Sequence, residues 1–263
     1  MENEVGQVTP VKISLDGIPE STKEEVLNPS AKLLGQAFSG ALHFILDPFV
    51  KYNIVKNQEM ELFKQEIENK TELIPFEDRD DSKIGLALKA MEDSKYQLNS
   101  EELREMFSNL IASSVDKKTN DLIEPSFSSI LKDLSIEDAI LLKKFSIERN
   151  IPSVSLQIED TKTGIFFIKQ KHILLFNSEI YSDEVSINSL ERLGLIEIVE
   201  TSLSSQENKE RYSKFVESPF YQSIQQELPI ITAENFNANH ISIIKEHAKL
   251  TPLGIRFCTI VLP

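Results

Sequence analysis

Ile151-Pro-Ser-Val-Ser-Leu-Gln-Ile-Glu-Asp-Thr-Lys-Thr-Gly-Ile-Phe-Phe-Ile168 is where the hydrophobic period of this chain changes. Val154, Leu156 and Ile158 alternate with polar residues, the mark of a strand with one wet and one dry face. Asp160-Thr-Lys-Thr-Gly164 reads as a turn, and Ile165–Ile168 and Ile173–Phe176 read as further strands. Upstream, apolar residues recur at three and four. The chain therefore reads as α+β, predominantly α: a helical N-terminal region followed by a smaller α+β region.

The clearest helix lies upstream, where Leu103, Met106, Phe107, Leu110, Ile111 and Val115 form one buried face. Asn99 and Glu102 stand at capping-box spacing before it, and Ser135-Ile-Glu-Asp138 is a second box opening Ala139–Phe145. Pro125 starts a helix carrying Phe127, Ile130 and Leu131. Further back, Asn28-Pro29 can cap and begin a helix that Pro48 must kink or end, and a second is expected from about Phe49 to Glu72. Val11, Ile13 and Leu15 alternate over one short edge strand in an otherwise loose arm. The expected organisation is an arm over 1–27, a helical domain over 28–149 and an α+β domain over 150–263.

Downstream of the change, Val185–Leu193 is a short helix that Gly194 closes, and Leu195–Val199 is a strand. Residues 201–214 are polar and expected to be exposed, and the chain ends in an apolar tail after Leu250-Thr-Pro-Leu-Gly254. A helix, Arg-Leu-Gly-Leu-Ile, a strand, a polar loop and Leu-Thr-x-x-Gly is an order that winged-helix domains share. Asn188, Glu191 and Arg192 are then the candidate residues of the wing helix. Base reading needs cationic or amide side chains on that helix, yet Asp183–Arg192 offers three acids and one arginine. Protein binding or a structural use of this shape is the better reading.

Composition agrees. The 263 residues carry 42 acids against 28 bases, a formal charge of −14, so non-specific nucleic-acid binding lacks its electrostatic source. The one cysteine, Cys258, excludes an internal disulfide and reads as a small buried hydrophobe. Glu2 and Glu4 with no apolar run argue against a secretory leader, and a cytoplasmic location is expected.

No catalytic constellation stands out, and neither a metal nor a cofactor is expected. Glu68-Asn-Lys70 and Glu207-Asn-Lys209 match a nuclease tripeptide but fall on a helix and in a polar loop, not on a strand. His240 and His247, read on a helix, share a face two turns apart, too far for one metal. Glu77-Asp-Arg-Asp-Asp81 lacks the ligand spacing of a calcium loop and reads as a solvated linker.

Between Lys32 and Asp47 runs a segment whose only titratable side chain is His43, itself read as a core residue. It is short of the roughly 20 apolar residues of a membrane span. Leu34, Phe38, Leu42, Ile45 and Phe49 line one side, with Ala31, and Leu33, Ala37, Gly40, Ala41 and Phe44 cover much of the other. The favoured reading is a core or partner-facing helix. A second copy, or lipid after a trigger, are the alternative occupants; a membrane is less favoured because the surrounding chain is acidic.

Glu101–Asp116, Pro125–Ala139, Ser189–Ile196 and Leu250–Gly254, with Leu34-Gly35 and Pro48, together resemble the Abi-alpha (abortive infection alpha) family of bacterial proteins. The resemblance implies a role in phage defence and supplies no catalytic residue. The expected function is thus a non-enzymatic sensing or interaction module with a phage or host protein as partner. A membrane-disrupting effector using 33–46, or a winged-helix DNA-binding regulator, are the alternatives.

Overall fold

The computed structural model describes residues 56–177, 179–233 and 236–262, with a few positions between Gly40 and Lys51. The arm over 1–27 and the candidate residues Leu34, Phe38, Leu42, Ile45 and Phe49 lie outside the described residues. The chain divides into two compact units between Lys132 and Asp133.

In the first unit, α1 (Asn57–Glu72) and α2 (Ile84–Asp93) both pack on α3 (Glu101–Ser113), and α4 (Phe127–Asp133) runs to the division. The stripe expected on α3 is buried: Leu103, Met106, Phe107, Leu110 and Ile111 are all removed from solvent. Phe63 and Ile67 of α1 are buried likewise. Ser100, not Asn99, caps α3. Its extended backbone lets the hydroxyl accept from the Leu103 amide at 3.3 Å and donate to Glu102 at 3.0 Å. The helix expected from Phe49 is interrupted at Lys56, which is extended, so α1 begins at Asn57. The acidic linker keeps its carboxylates at the surface, as expected, and is also tied down. Lys117 donates its amide to the Asp78 carbonyl at 2.8 Å, and Asp80 accepts from the Asn120 amide group at 2.9 Å.

The second unit opens with α5 (Ile136–Ile147), started by the expected Ser135–Asp138 capping box. Then come β1 (Asn150–Asp160), β2 (Ile165–Leu175), β3 (Ile180–Tyr181), α6 (Glu184–Arg192) and β4 (Ile196–Val199). They are followed by α7 (Gln206–Glu217), α8 (Pro219–Glu227), β5 (Thr232–Ala233), β6 (Phe236–Asn237), β7 (His240–Leu250) and α9 (Pro252–Val261). Among the described residues the larger sheet has the order β3-β2-β1-β7-β4, antiparallel throughout. Predominantly α, α+β architecture is what the change of period indicated.

Four local expectations are corrected. His240 and His247 lie on strand β7, not a helix, so a rise of about 3.3 Å per residue puts them roughly 23 Å apart on opposite faces. Residues 206–214 belong to α7, and Tyr212 is buried because the helix turns it into the core. The two strands expected around 165–176 are one, β2, since its polar centre still pairs with β1. The apolar tail is helix α9.

Val154 and Leu156 of β1 and Ile173 and Leu175 of β2 join Tyr212, Phe215, Tyr221 and Ile224 in one core, so α7 and α8 cover this face of the sheet. The alternate residues Ser153, Ser155 and Leu174 turn to the other face and are buried too. Burial on both sides marks β1 as the central strand of this unit.

Candidate functional site

The β1–β2 hairpin leaves this core before it ends. Its turn is built by Asp160, a buried carboxylate that accepts from the amides of Lys162 at 2.9 Å and Asn237 at 3.1 Å. The Asn237 bond is the largest cause holding the Asp160 carboxyl below its usual range, with the Lys162 and Thr163 bonds adding to it. Gly164 closes the turn at φ 72°, a left-handed conformation that glycine adopts without a Cβ penalty. Thr161 adds a hydroxyl bond to Asn239 at 2.9 Å. The turn is therefore fixed at both ends.

Beyond it, Ile165, Phe166, Phe167 and Ile168 are 47, 59, 40 and 37 % exposed. Four consecutive large apolar residues in water form a patch rather than scattered surface apolarity. Register places Ile165 and Phe167 on one face, opposite Asp160 and Ile158, and Phe166 and Ile168 on the other, opposite Glu159 and Gln157. Among the described residues, Phe167 alone of the four gains an aromatic partner, Phe236, with ring centroids 5.5 Å apart. β3 pairs with β2 only at Leu174 and Leu175. Among the described residues, then, no strand flanks the outer edge of Ile165–Lys169.

Two irregularities separate this projecting end from the buried end of β2. Between Val154 and Leu156 the chain of β2 advances from Ile173 to Gln170, and between Leu156 and Gln157 it advances from Gln170 to Ile168. Each inserts one extra residue, a β-bulge that bends and twists the strand. His172 carries the first at φ 53°, an uncommon conformation for a residue with a side chain. Its amide donates to Ser155 Oγ at 3.0 Å, and its Nδ1 pairs with Glu246 Oε2 at 2.9 Å. Ser155 donates to the other Glu246 oxygen at 3.1 Å. The half-buried imidazole is pushed up in pKa chiefly by the Glu246 hydrogen bond, with Glu191 of α6 assisting and desolvation and Lys171 opposing.

Serine, histidine and glutamate here do not compose a nucleophile. The Ser155 proton goes to Glu246 and its oxygen receives the His172 amide, whereas an activated hydroxyl must give its proton to the imidazole. The cluster is a bulge anchor.

A cleft of about 430 Å³ lies nearby between β2, the chain leading to β3, and α7 and α8. Phe176, Ile180, Phe215 and Phe220 give it apolar walls, and Arg211 lies among the lining residues. That guanidinium is held by Glu148, by Glu207 at 2.9 Å and by the Leu175 carbonyl at 3.2 Å. Its Nε is buried with no hydrogen-bond partner among the described residues. Arg211 is thus committed to two carboxylates and a carbonyl, while Glu179 pairs with Lys144.

Asn188, Glu191 and Arg192 share an exposed face of α6, and Glu191 acts on His172 through its charge. β4 and β7 pair antiparallel where the wing strands were expected, but β7 also pairs along its length with β1. Cys258 is buried, and desolvation pushes its thiol up to about 12. His43, expected in a core, is part-exposed and bonds Asp47 at 3.1 Å. Lys70 donates to Asn109, and Glu207 of the second tripeptide lies on α7, paired with Arg211. Among the described residues no group of three or more histidines, cysteines or carboxylates could hold a metal. No helix among them is long and apolar enough to cross a membrane.

Sequence reading placed a strand at Ile165–Ile168 but not its exposure, because an unbroken apolar run reads as a buried strand. One signal was present: polar Gln157 and Glu159 alternate on the partner strand, opposite Ile168 and Phe166.

A family model described as abortive infection alpha matches residues 55–261 of this chain. Among solved structures it is similar to an uncharacterized protein from the hydrocarbon-degrading marine bacterium Alcanivorax borkumensis SK2. That likeness has a TM-score of 0.34 and 17 % identity, over 56 % of this chain and 96 % of the other. No curated protein matches.

Proposed function

Because this chain belongs to the abortive infection alpha family, we propose that it acts in bacterial phage defence as a non-enzymatic sensing module that binds a phage or host protein. The observation that supports this reading is the exposed Ile165–Ile168 end of the β1–β2 hairpin. A turn fixed by Asp160 and a strand pinned by His172 hold these side chains in place before any partner arrives. Preorganisation of this kind lowers the ordering cost of binding. The acidity of the chain, with 42 acids against 28 bases, supports a protein partner over a nucleic acid.

The test is a plaque assay in cells with and without the gene, and with Phe166→Ser. Protection by the parent chain, lost in the variant at equal protein level, is expected. Sequencing of escape phages then names the trigger. Equal plaque numbers with and without the gene, across a broad phage panel, would overturn the defence role.

A further inference from the structure

We propose that the edge of β2 over Ile165–Lys169, which no strand flanks among the described residues, is a strand-addition site for an extended protein segment whose apolar centre is flanked by acidic residues. The inference rests on the interaction-module reading above and specifies its surface, mode and partner chemistry.

The edge comes first. A strand without a neighbour presents main-chain donors and acceptors in a row, ready to pair with another chain. Here that row coincides with exposed apolar side chains on both faces of the strand. An added strand satisfies the main chain and covers alternate side chains on both faces together. Hydrocarbon would cover the side chains but leave the backbone groups unpaired, which argues against lipid as the occupant. The open stretch ends where the Lys171 amide donates to Glu184 Oε1 at 2.7 Å. Five residues, roughly 17 Å, is the length of an ordinary strand.

Charge selects among partners. Thr161–Lys171 contains Lys162, Lys169 and Lys171 and no acid, in a chain whose formal charge is −14. Lys169 holds Glu227 at 3.2 Å on the surface, a pair cheap to exchange for a partner's carboxylate. An acidic-flanked segment therefore meets complementary charge along this edge. A second copy would bring the same three lysines to it, and a chain of equal net negative charge behind them.

Binding of three fluorescent eight-residue peptides to the purified full chain tests this by anisotropy. All share one alternating valine–threonine centre. The first is flanked by aspartates and the second by lysines. The third is the aspartate peptide N-methylated at alternate residues, which removes main-chain donors. The aspartate peptide is expected to bind about tenfold or more tightly than the other two and to weaken with salt. Phe166→Ser should abolish binding, and the double variant Lys162→Glu, Lys169→Glu should reverse the preference toward the lysine peptide. Both change exposed positions, so unaltered melting confirms folding.

Three results would overturn the proposal. They are equal binding of the N-methylated peptide, no binding of any peptide, or occupation of the edge by something else. Occupation by a second copy would show as a dimer in light scattering that Phe166→Ser dissolves. Occupation by lipid would show as flotation with phosphatidylglycerol vesicles that the same substitution abolishes. Peptide binding without plaque protection would leave the edge standing and remove the defence role; protection without peptide binding would do the reverse.

Discussion

His172 couples a strained backbone to a titrating side chain. Its φ of 53° is held by the bond from its amide to Ser155 and by the ring's bond to Glu246. Folding raises the imidazole pKa above its ordinary value near 6.5, first through the Glu246 hydrogen bond. The stabilisation is therefore fully present below pH 6.5 and is lost as pH rises through the raised folded value. Melting temperature measured across pH 5 to 9 should fall over that window by a few °C. His172→Asn, which tolerates the left-handed backbone but carries no charge, should flatten the fall. An unchanged pH profile in that variant would show that Glu246 and His172 do not exchange charge stabilisation. At Arg104, buried on α3 and bonded to Glu66 at 2.8 Å, the consequence is simpler. Arg104→Met strands a part-buried carboxylate and should cost about 3 kcal/mol in urea denaturation.

At the scale of elements, the Leu250–Gly254 motif acquires a physical meaning. Thr251 caps α9 by accepting the Gly254 amide at 2.9 Å and donates to the Gly194 carbonyl at 2.5 Å. Pro252 occupies the first helical turn. Gly254 lets that helix start press on the chain entering β4, where an added Cβ would lie 2.0 Å from the Leu195 carbonyl oxygen. Backbone cannot yield as a side-chain tip can. Gly254→Ala should therefore destabilise by about 2–4 kcal/mol, and Thr251→Ala by about 1 kcal/mol, as read from denaturation midpoints. Comparable small losses for both would mean that the helix start shifts to make room. The capping box at Ser135 was legible because its signal is local. The cap at Ser100 was displaced by one residue, since neighbouring Asn and Ser are near-equal caps and only backbone geometry separates them.

For the whole molecule, 42 acids against 28 bases set the response to salt. Raising ionic strength from 10 to 150 mM shortens the screening length from about 30 to about 8 Å and relieves self-repulsion. The melting temperature should rise across that range in calorimetry. A fall instead would mean that ion pairs such as those of Arg211 with Glu148 and Glu207 outweigh the net repulsion. The same acidity bears on partners, since the lysines of the β1–β2 hairpin are a local exception to it.

Periodicity is a nearest-neighbour property of the chain. With the equally local signals of caps, proline and glycine, it determined the helices of 101–147, the passage to strands after Pro152 and the closing of α6 at Gly194. Family membership was legible for a related reason, because its motifs are caps, glycines and stripes that local geometry demands. Tertiary structure decided what pairing determines. It made His240 and His247 strand residues, turned Tyr212 inward, and gave β2 two extra residues against β1. Above all it decided that Ile165–Ile168 stand in water. Apolar residues in an edge strand and in a buried one are the same letters, and only the neighbours, here a β3 that stops at Leu174 and Leu175, distinguish them.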